Sequence, residues 1–80
     1  MNLDELRQKI DDIDAEIVRL INKRAEIAHD IGKLKNQDGE SIYKPHRERA
    51  VLEHALKAAE GPLPEESVQA VFREIMSGCI

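Results

Sequence analysis

The chain has 80 residues, a net charge of −4 and one cysteine, so it is long enough for one domain and holds no internal disulfide. The acidic balance argues against nucleic acid as a partner, and no apolar run approaches the roughly 20 residues that cross a membrane. The first residues lack the basic and apolar regions of a signal peptide. We therefore expect a small cytoplasmic protein with a reduced thiol.

The first third of the chain predicts one long helix over residues 3–35. Its apolar residues recur at alternating steps of three and four, the heptad pattern of a helix that packs along its whole length. We call these residues the seam: Leu3, Leu6, Ile10, Ile13, Ile17, Leu20, Ile27, Ile31 and Leu34. A helix of about 33 residues is about 50 Å long, whereas a compact domain of this size is about 30 Å across. We therefore predict an intertwined homodimer, in which each projecting helix is covered by the other chain.

Arg24 occupies the seam position between Leu20 and Ile27, where the pattern requires an apolar residue. A guanidinium on a buried stripe is costly unless it meets an anion or a polar network. Arg7 and Lys35 border the same stripe near its two ends. Arg24 therefore either binds an anion or acts as a polar device that fixes the register of the dimer.

Two shorter helices are predicted at residues 45–59 and 64–80, which gives an all-α chain of three helices. Pro45 and Pro64 suit the first turn of a helix, because the N–H that proline lacks has no helical partner there anyway. The turn cluster between the first two helices begins at Asn36.

The charges on these helices predict a pocket for a small dianion that bears a hydroxyl group. The apolar stripe of the second helix, projected back by one turn, meets Arg47 and Glu48, so both should face inward. Several basic side chains suit a ligand with more than one carboxylate, since arginine holds a carboxylate with two hydrogen bonds. Glu48 would reject a further carboxylate and accept a hydrogen bond from a hydroxyl. The three histidines lack metal-binding spacing, so we interpret them as surface residues and expect no metal site: His29, His46 and His54.

Five segments of the sequence resemble the all-helical class of chorismate mutase, and together they extend over almost the whole chain. They are residues 6–11 with Asp14, 23–28, 31–35, 45–49 and 71–76. The resemblance implies an intertwined dimer that converts chorismate to prephenate without a cofactor, on the shikimate route to phenylalanine and tyrosine. Members of this family are often fused to another enzyme of the pathway, so a covalent fusion partner is expected.

The resemblance also implies a role for each charged residue of the pocket. Arg24 and Arg47 would bind the carboxylates of chorismate, and Arg7 would reach the site from the other subunit. Lys35 would donate to the ether oxygen and an adjacent carboxylate, while Glu48 would accept a hydrogen bond from the ring hydroxyl.

Three departures from the family pattern bear on activity. Lys44 stands where some relatives have an acid, and Cys79 stands where the family has a serine that contacts the substrate. A thiol is the weaker hydrogen-bond partner. The family also usually places Gln or Glu one helical turn beyond Cys79, as a second partner of the ether oxygen, and the sequence ends before that position. Loss of such a donor can cost about 10²–10³ in rate.

Three other functions fit the same residues. The chain could be a catalytically silent dimerisation or regulatory module that binds chorismate or prephenate. It could be an isochorismate pyruvate lyase on the same fold. It could also be a plain helical dimer whose charges are structural.

Overall fold

The structure, a computed structural model, describes residues 1–38 and 45–78, and the side chains of 35–38 lie outside that description. The described residues form three α-helices: α1 (Leu3–Asp38), α2 (Pro45–Ala58) and α3 (Glu65–Gly78). The predicted all-α class, with one long and two shorter helices, is confirmed. Residues 79 and 80, which the sequence assigned to the third helix, lie outside the described residues. None of the described helices is both long enough and apolar enough to cross a membrane.

Helix α1 begins at a side-chain cap and continues past its predicted end. The backbone N–H of Glu5 donates to Oδ1 of Asn2 over 2.8 Å, so Asn2 satisfies one of the free N–H groups at the helix start. The predicted end at Lys35 and the turn from Asn36 are wrong, because the helical backbone runs to Asp38. Asn and Asp each cost less than about 1 kcal/mol relative to alanine, which is too little to stop a helix already formed.

Helices α2 and α3 pack on each other and supply the described core. Its two buried apolar side chains are Ala55 and Val68, one from each helix, and both are 7% exposed. The segment that connects α2 to α3 contains Gly61, whose φ of 73° lies in the left-handed region that glycine adopts without steric cost. Helix α3 begins at Glu65 rather than at the predicted Pro64, whose carbonyl accepts hydrogen bonds from the first turn of the helix.

Helix α1 extends far beyond this pair of helices. The chain measures 55 × 23 × 16 Å and has a radius of gyration of 15.8 Å, against about 12 Å for a compact chain of this length. Every residue from Leu3 to Leu20 is exposed. All nine seam residues are between 46% and 62% exposed, so the chain leaves its own heptad face uncovered.

The C-terminal part of α1 carries a second stripe that is distinct from the seam. Its members are partly or fully buried: Ile21, Arg24, Ala25, Ala28 and Gly32. Apart from Arg24, each comes one residue after a seam position, which rotates the stripe by about 100° around the helix axis. Arg24 occupies the seam position and lies at the border between the two faces. One face of α1 is therefore partly covered within the chain, while the neighbouring seam is not.

Candidate active site

An open groove lies where α2 and α3 meet the C-terminal part of α1. Its volume is about 520 Å³, which falls in the range of about 300–1,000 Å³ that is usual for small-molecule sites. The described residues that line it are Arg24 from α1, then Arg47, Val51, His54, Ala55, Ala58 and Ala59, then Val68 and Phe72 from α3. Apart from two arginines and one histidine, these described lining residues are apolar. The groove therefore combines a weakly polar surface with concentrated positive charge.

The two arginines of the groove come from different helices. Arg24 is half-buried on α1, and Arg47 is exposed in the first turn of α2. Among the side chains that the structure describes, those of residues 1–34 and 45–78, the ion pair joins Glu16 to Arg19 on the exposed half of α1, and neither groove arginine is paired with a carboxylate. Two uncompensated guanidinium groups attract anions, and each fits a carboxylate through two parallel hydrogen bonds.

Glu48 follows Arg47 in the first turn of α2 and is half-buried. It is not among the described residues that line the groove. Successive helical residues point about 100° apart, so Glu48 lies to one side of Arg47 rather than on the same line. Its inward orientation toward a ligand stays a prediction.

Arg7 lies far from the groove within one chain. It is exposed on α1, and the step of 17 residues from Arg7 to Arg24 corresponds to about 25 Å along the helix axis. The Lys35 side chain lies outside the described residues, and so do Lys44 and Cys79. The structure thus brings Arg24 and Arg47 together, and Arg7 stands apart.

His54 is the groove residue whose role the sequence did not predict. All three histidines are exposed, as predicted, but His54 also lines the groove. Its position could have been inferred from the helical pattern, because Arg47, Val51, His54 and Ala58 recur at steps of four, three and four. In the described part of the chain, no group of three or more His, Cys, Asp or Glu residues is placed to hold a metal ion.

The sequence matches known proteins along almost its whole length. Residues 6–80 match the family described as chorismate mutase type II. The chain belongs to the chorismate mutase type II family. In this type II chain the matched segment contains α2, α3 and nearly all of α1, and therefore every described residue of the groove.

Relatives of this type II chain include bifunctional and shorter proteins. It is 51% identical to the bifunctional chorismate mutase/prephenate dehydratase of Neisseria gonorrhoeae, a match over 98% of this chain and 22% of the relative. It is 36% identical to the chorismate mutase of Methanocaldococcus jannaschii, over 92% of this chain and 75% of that protein. The chain thus spans about a fifth of the bifunctional relative's length.

A solved structure with the same fold is chorismate mutase (Form I) from Thermus thermophilus. The two structures superpose with a TM-score of 0.94 at 31% identity, and the match covers 98% of each chain. The three-helix arrangement of this type II chain is therefore that of the Thermus protein throughout.

Proposed function

We propose that this chain is a chorismate mutase, an isomerase that converts chorismate to prephenate on the route to phenylalanine and tyrosine. The observation that carries the proposal is the pair of guanidinium groups, Arg24 and Arg47, that face an apolar groove without a described carboxylate partner. Chorismate has two carboxylates and a ring hydroxyl, so it matches the dianion inferred from the charges. Family membership and the names of the relatives support this reaction.

The proposed catalysis is positioning combined with electrostatic stabilisation. One ether C–O bond breaks while one C–C bond forms within the same molecule, so no group leaves and no proton is transferred. Arg24 and Arg47 each hold a carboxylate, which fixes the enolpyruvyl arm over the ring and brings the two bonding carbons together. Apolar side chains such as Val51 and Phe72 form a wall that does not hydrogen-bond water, so displacement of water by the bound substrate would strengthen these charge interactions.

Three further residues complete the proposed site. Lys35 donates a hydrogen bond to the ether oxygen, where negative charge builds as the C–O bond breaks. Glu48 accepts a hydrogen bond from the ring hydroxyl, and Cys79 contacts the substrate through its thiol. These three roles are supported by the family resemblance at their positions.

The proposed catalytic unit is a homodimer. The seam exposes nine large apolar side chains on one face of α1, and aligned exposed apolar residues of this kind mark an interaction surface. A second copy would cover this face. The chain's own Arg7 is too far from its groove to contact a ligand there, since it lies about 25 Å from Arg24 along the helix axis. A second copy would instead bring Arg7 of the partner subunit to this groove.

The proposal extends to the setting of the chain. The Neisseria relative combines chorismate mutase with prephenate dehydratase in one protein. We place this chain as the mutase part of such a fusion, in the cytoplasm, where a single cysteine stays reduced.

The test is chorismate consumption by the purified chain, with identification of the product. Prephenate should form, and Arg24→Ala should lower kcat/KM by at least about 10²–10³, because it removes a carboxylate-binding charge from the groove. Arg19→Ala is the matched control, since Arg19 lies on the same helix and is paired with Glu16 away from the groove. Its kcat/KM should stay near that of the unmodified chain.

The rival functions are separated by repeating the assay with isochorismate and by measuring the binding of chorismate. Pyruvate and salicylate from isochorismate would indicate the lyase instead. Binding of chorismate without turnover would indicate the silent module, provided that a chain lengthened by one turn with Gln four residues after Cys79 is also inactive. Absence of binding would leave a structural helical dimer.

A further inference from the structure

The groove contains a third side chain that can form hydrogen bonds with a ligand. His54 lies seven residues after Arg47 on the same face of α2, which places it two turns, or about 10 Å, farther along the helix. The other described residues that line the groove with these two and Arg24 are Val, Ala or Phe. In sites of this kind a few polar groups on an apolar wall fix the orientation of the ligand.

We propose that His54 is a further substrate-contacting residue, which donates a hydrogen bond to a carboxylate of the dianion and binds it more tightly when the imidazole is protonated. The proposal rests on the proposed function for the identity of the dianion. Imidazole gains its charge between about pH 5 and pH 8, whereas the guanidinium groups of Arg24 and Arg47 stay charged throughout. His54 would therefore be the described groove residue that makes affinity depend on pH near neutrality.

The other charged residues near His54 come from α1 and α2. Among the described residues that line the groove, Arg24 lies on α1 and Arg47 on α2, while α3 contributes Val68 and Phe72, which do not titrate. On α2 itself, Glu53 precedes His54 and Lys57 follows it by one turn. A carboxylate of the bound dianion would favour the protonated imidazole, so binding of the dianion and uptake of a proton should reinforce each other.

The exposure of His54 sets the size of the effect. His54 is exposed, and exposed charge pairs contribute at most about 1 kcal/mol, which corresponds to a factor of about five. We therefore expect the dissociation constant of the unmodified chain for prephenate to rise about threefold between about pH 6 and pH 8.

The experiment is calorimetric titration of the dimeric chain with prephenate at both pH values, in two buffers of different ionisation enthalpy. His54→Gln should bind about threefold more weakly at pH 6, lose the pH dependence and lose the proton uptake. His54→Arg should bind tightly at both values. His46→Gln is the matched control, because His46 is exposed on the same helix and does not line the groove. It should keep the pH dependence of the unmodified chain.

The outcomes separate this proposal from the mutase assignment. Since His54 would bind substrate and transition state alike, the variants should change KM for chorismate and leave kcat nearly constant. If His54→Gln kept the proton uptake and the pH dependence, or if His46→Gln removed them, the role of His54 would be overturned. Absence of prephenate formation would overturn the mutase assignment alone, because the binding measurement needs no turnover.

Discussion

The two halves of α1 have the same heptad pattern and different surroundings. From Leu3 to Leu20 every residue is exposed, whereas between Ile21 and Gly32 a stripe of residues is partly or fully buried and Arg24 reaches the groove. The N-terminal half therefore leaves its seam uncovered within the chain, which supports the proposed homodimer, while the C-terminal half forms part of the candidate site. The difference teaches that periodicity predicts which faces of a helix are covered, but not which chain covers them.

The largest expected effect comes from a charge in the exposed half. Ile17→Asp places an unpaired carboxylate on the seam, which should raise the dissociation constant of the dimer by about 10²–10³ and abolish turnover. Ala15→Asp is the control, because Ala15 is exposed on the side of α1 away from the seam. Sedimentation equilibrium and the chorismate assay check both variants. A dimeric, active Ile17→Asp protein would contradict the assignment of the N-terminal half to a partner.

A mixing experiment tests whether Arg7 and Arg24 of the same α1 helix belong to two different active sites of the proposed dimer. Arg7→Ala and Arg24→Ala should each lower kcat/KM about 100-fold or more. Heterodimers of the two variants contain one intact site, formed by Arg24 of one chain and Arg7 of the other. An equimolar mixture should therefore recover about a quarter of the activity of the unmodified protein. No recovery after subunit exchange would indicate that Arg7 and Arg24 do not share a site across two chains.

A smaller effect distinguishes the core of one chain from surfaces left to another. Val68→Ala removes buried methyl groups from the contact between α2 and α3 and should lower the free energy of unfolding by about 2 kcal/mol. The same substitution at Val71, which is 50% exposed on the same helix, should cost less than about 0.5 kcal/mol. Urea denaturation measures both. Equal losses would show that a partner covers α3 as well as α1.

The smallest effect concerns the ion pair on the exposed half of α1. The Arg19 guanidinium holds the pKa of the Glu16 carboxyl below its usual range, so the pair stabilises the folded chain at neutral pH and this contribution is lost as pH falls through the lowered pKa. Glu16→Gln should lower Tm only slightly at about pH 7, and not at all below about pH 3. Circular dichroism melts at both pH values check this. A large fall in Tm for Glu16→Gln at neutral pH would mean that this half of α1 is stabilised mainly by its own charges.

The sequence predicted the helices better than it predicted the faces they bury. Heptad spacing predicted α1 and its uncovered seam, and the break at Arg24 marked one residue of the groove. It did not predict the neighbouring stripe, because Ala25, Ala28 and Gly32 are small and contribute little to an apolar pattern. The end of α1 was predicted too early because Asn36 was given the weight of a helix breaker, although its propensity cost is small.

The site was predictable where a residue violated a pattern and obscure where it did not. Arg24 interrupts an apolar seam and Arg47 extends the apolar stripe of α2, so both could be selected before the groove was seen. His54 violates no pattern. Helical spacing places it in line with Arg47 and Val51, but its residue type does not distinguish it from a solvent-exposed histidine until the packing of α3 forms the opposite wall. Placement of Glu48 depends on the ligand and on neighbouring side chains, which helical spacing alone does not specify.

The exposed half of α1 also determines how the proposed enzyme would respond to its own abundance. A site completed by Arg7 of the partner subunit exists only in assembled pairs. At expression levels below the dissociation constant of the dimer, the number of working sites grows with the square of the chain concentration, so halving the supply of protein would leave about a quarter of the flux. Fusion to a second enzyme would then tie the abundance of both activities to one assembly step.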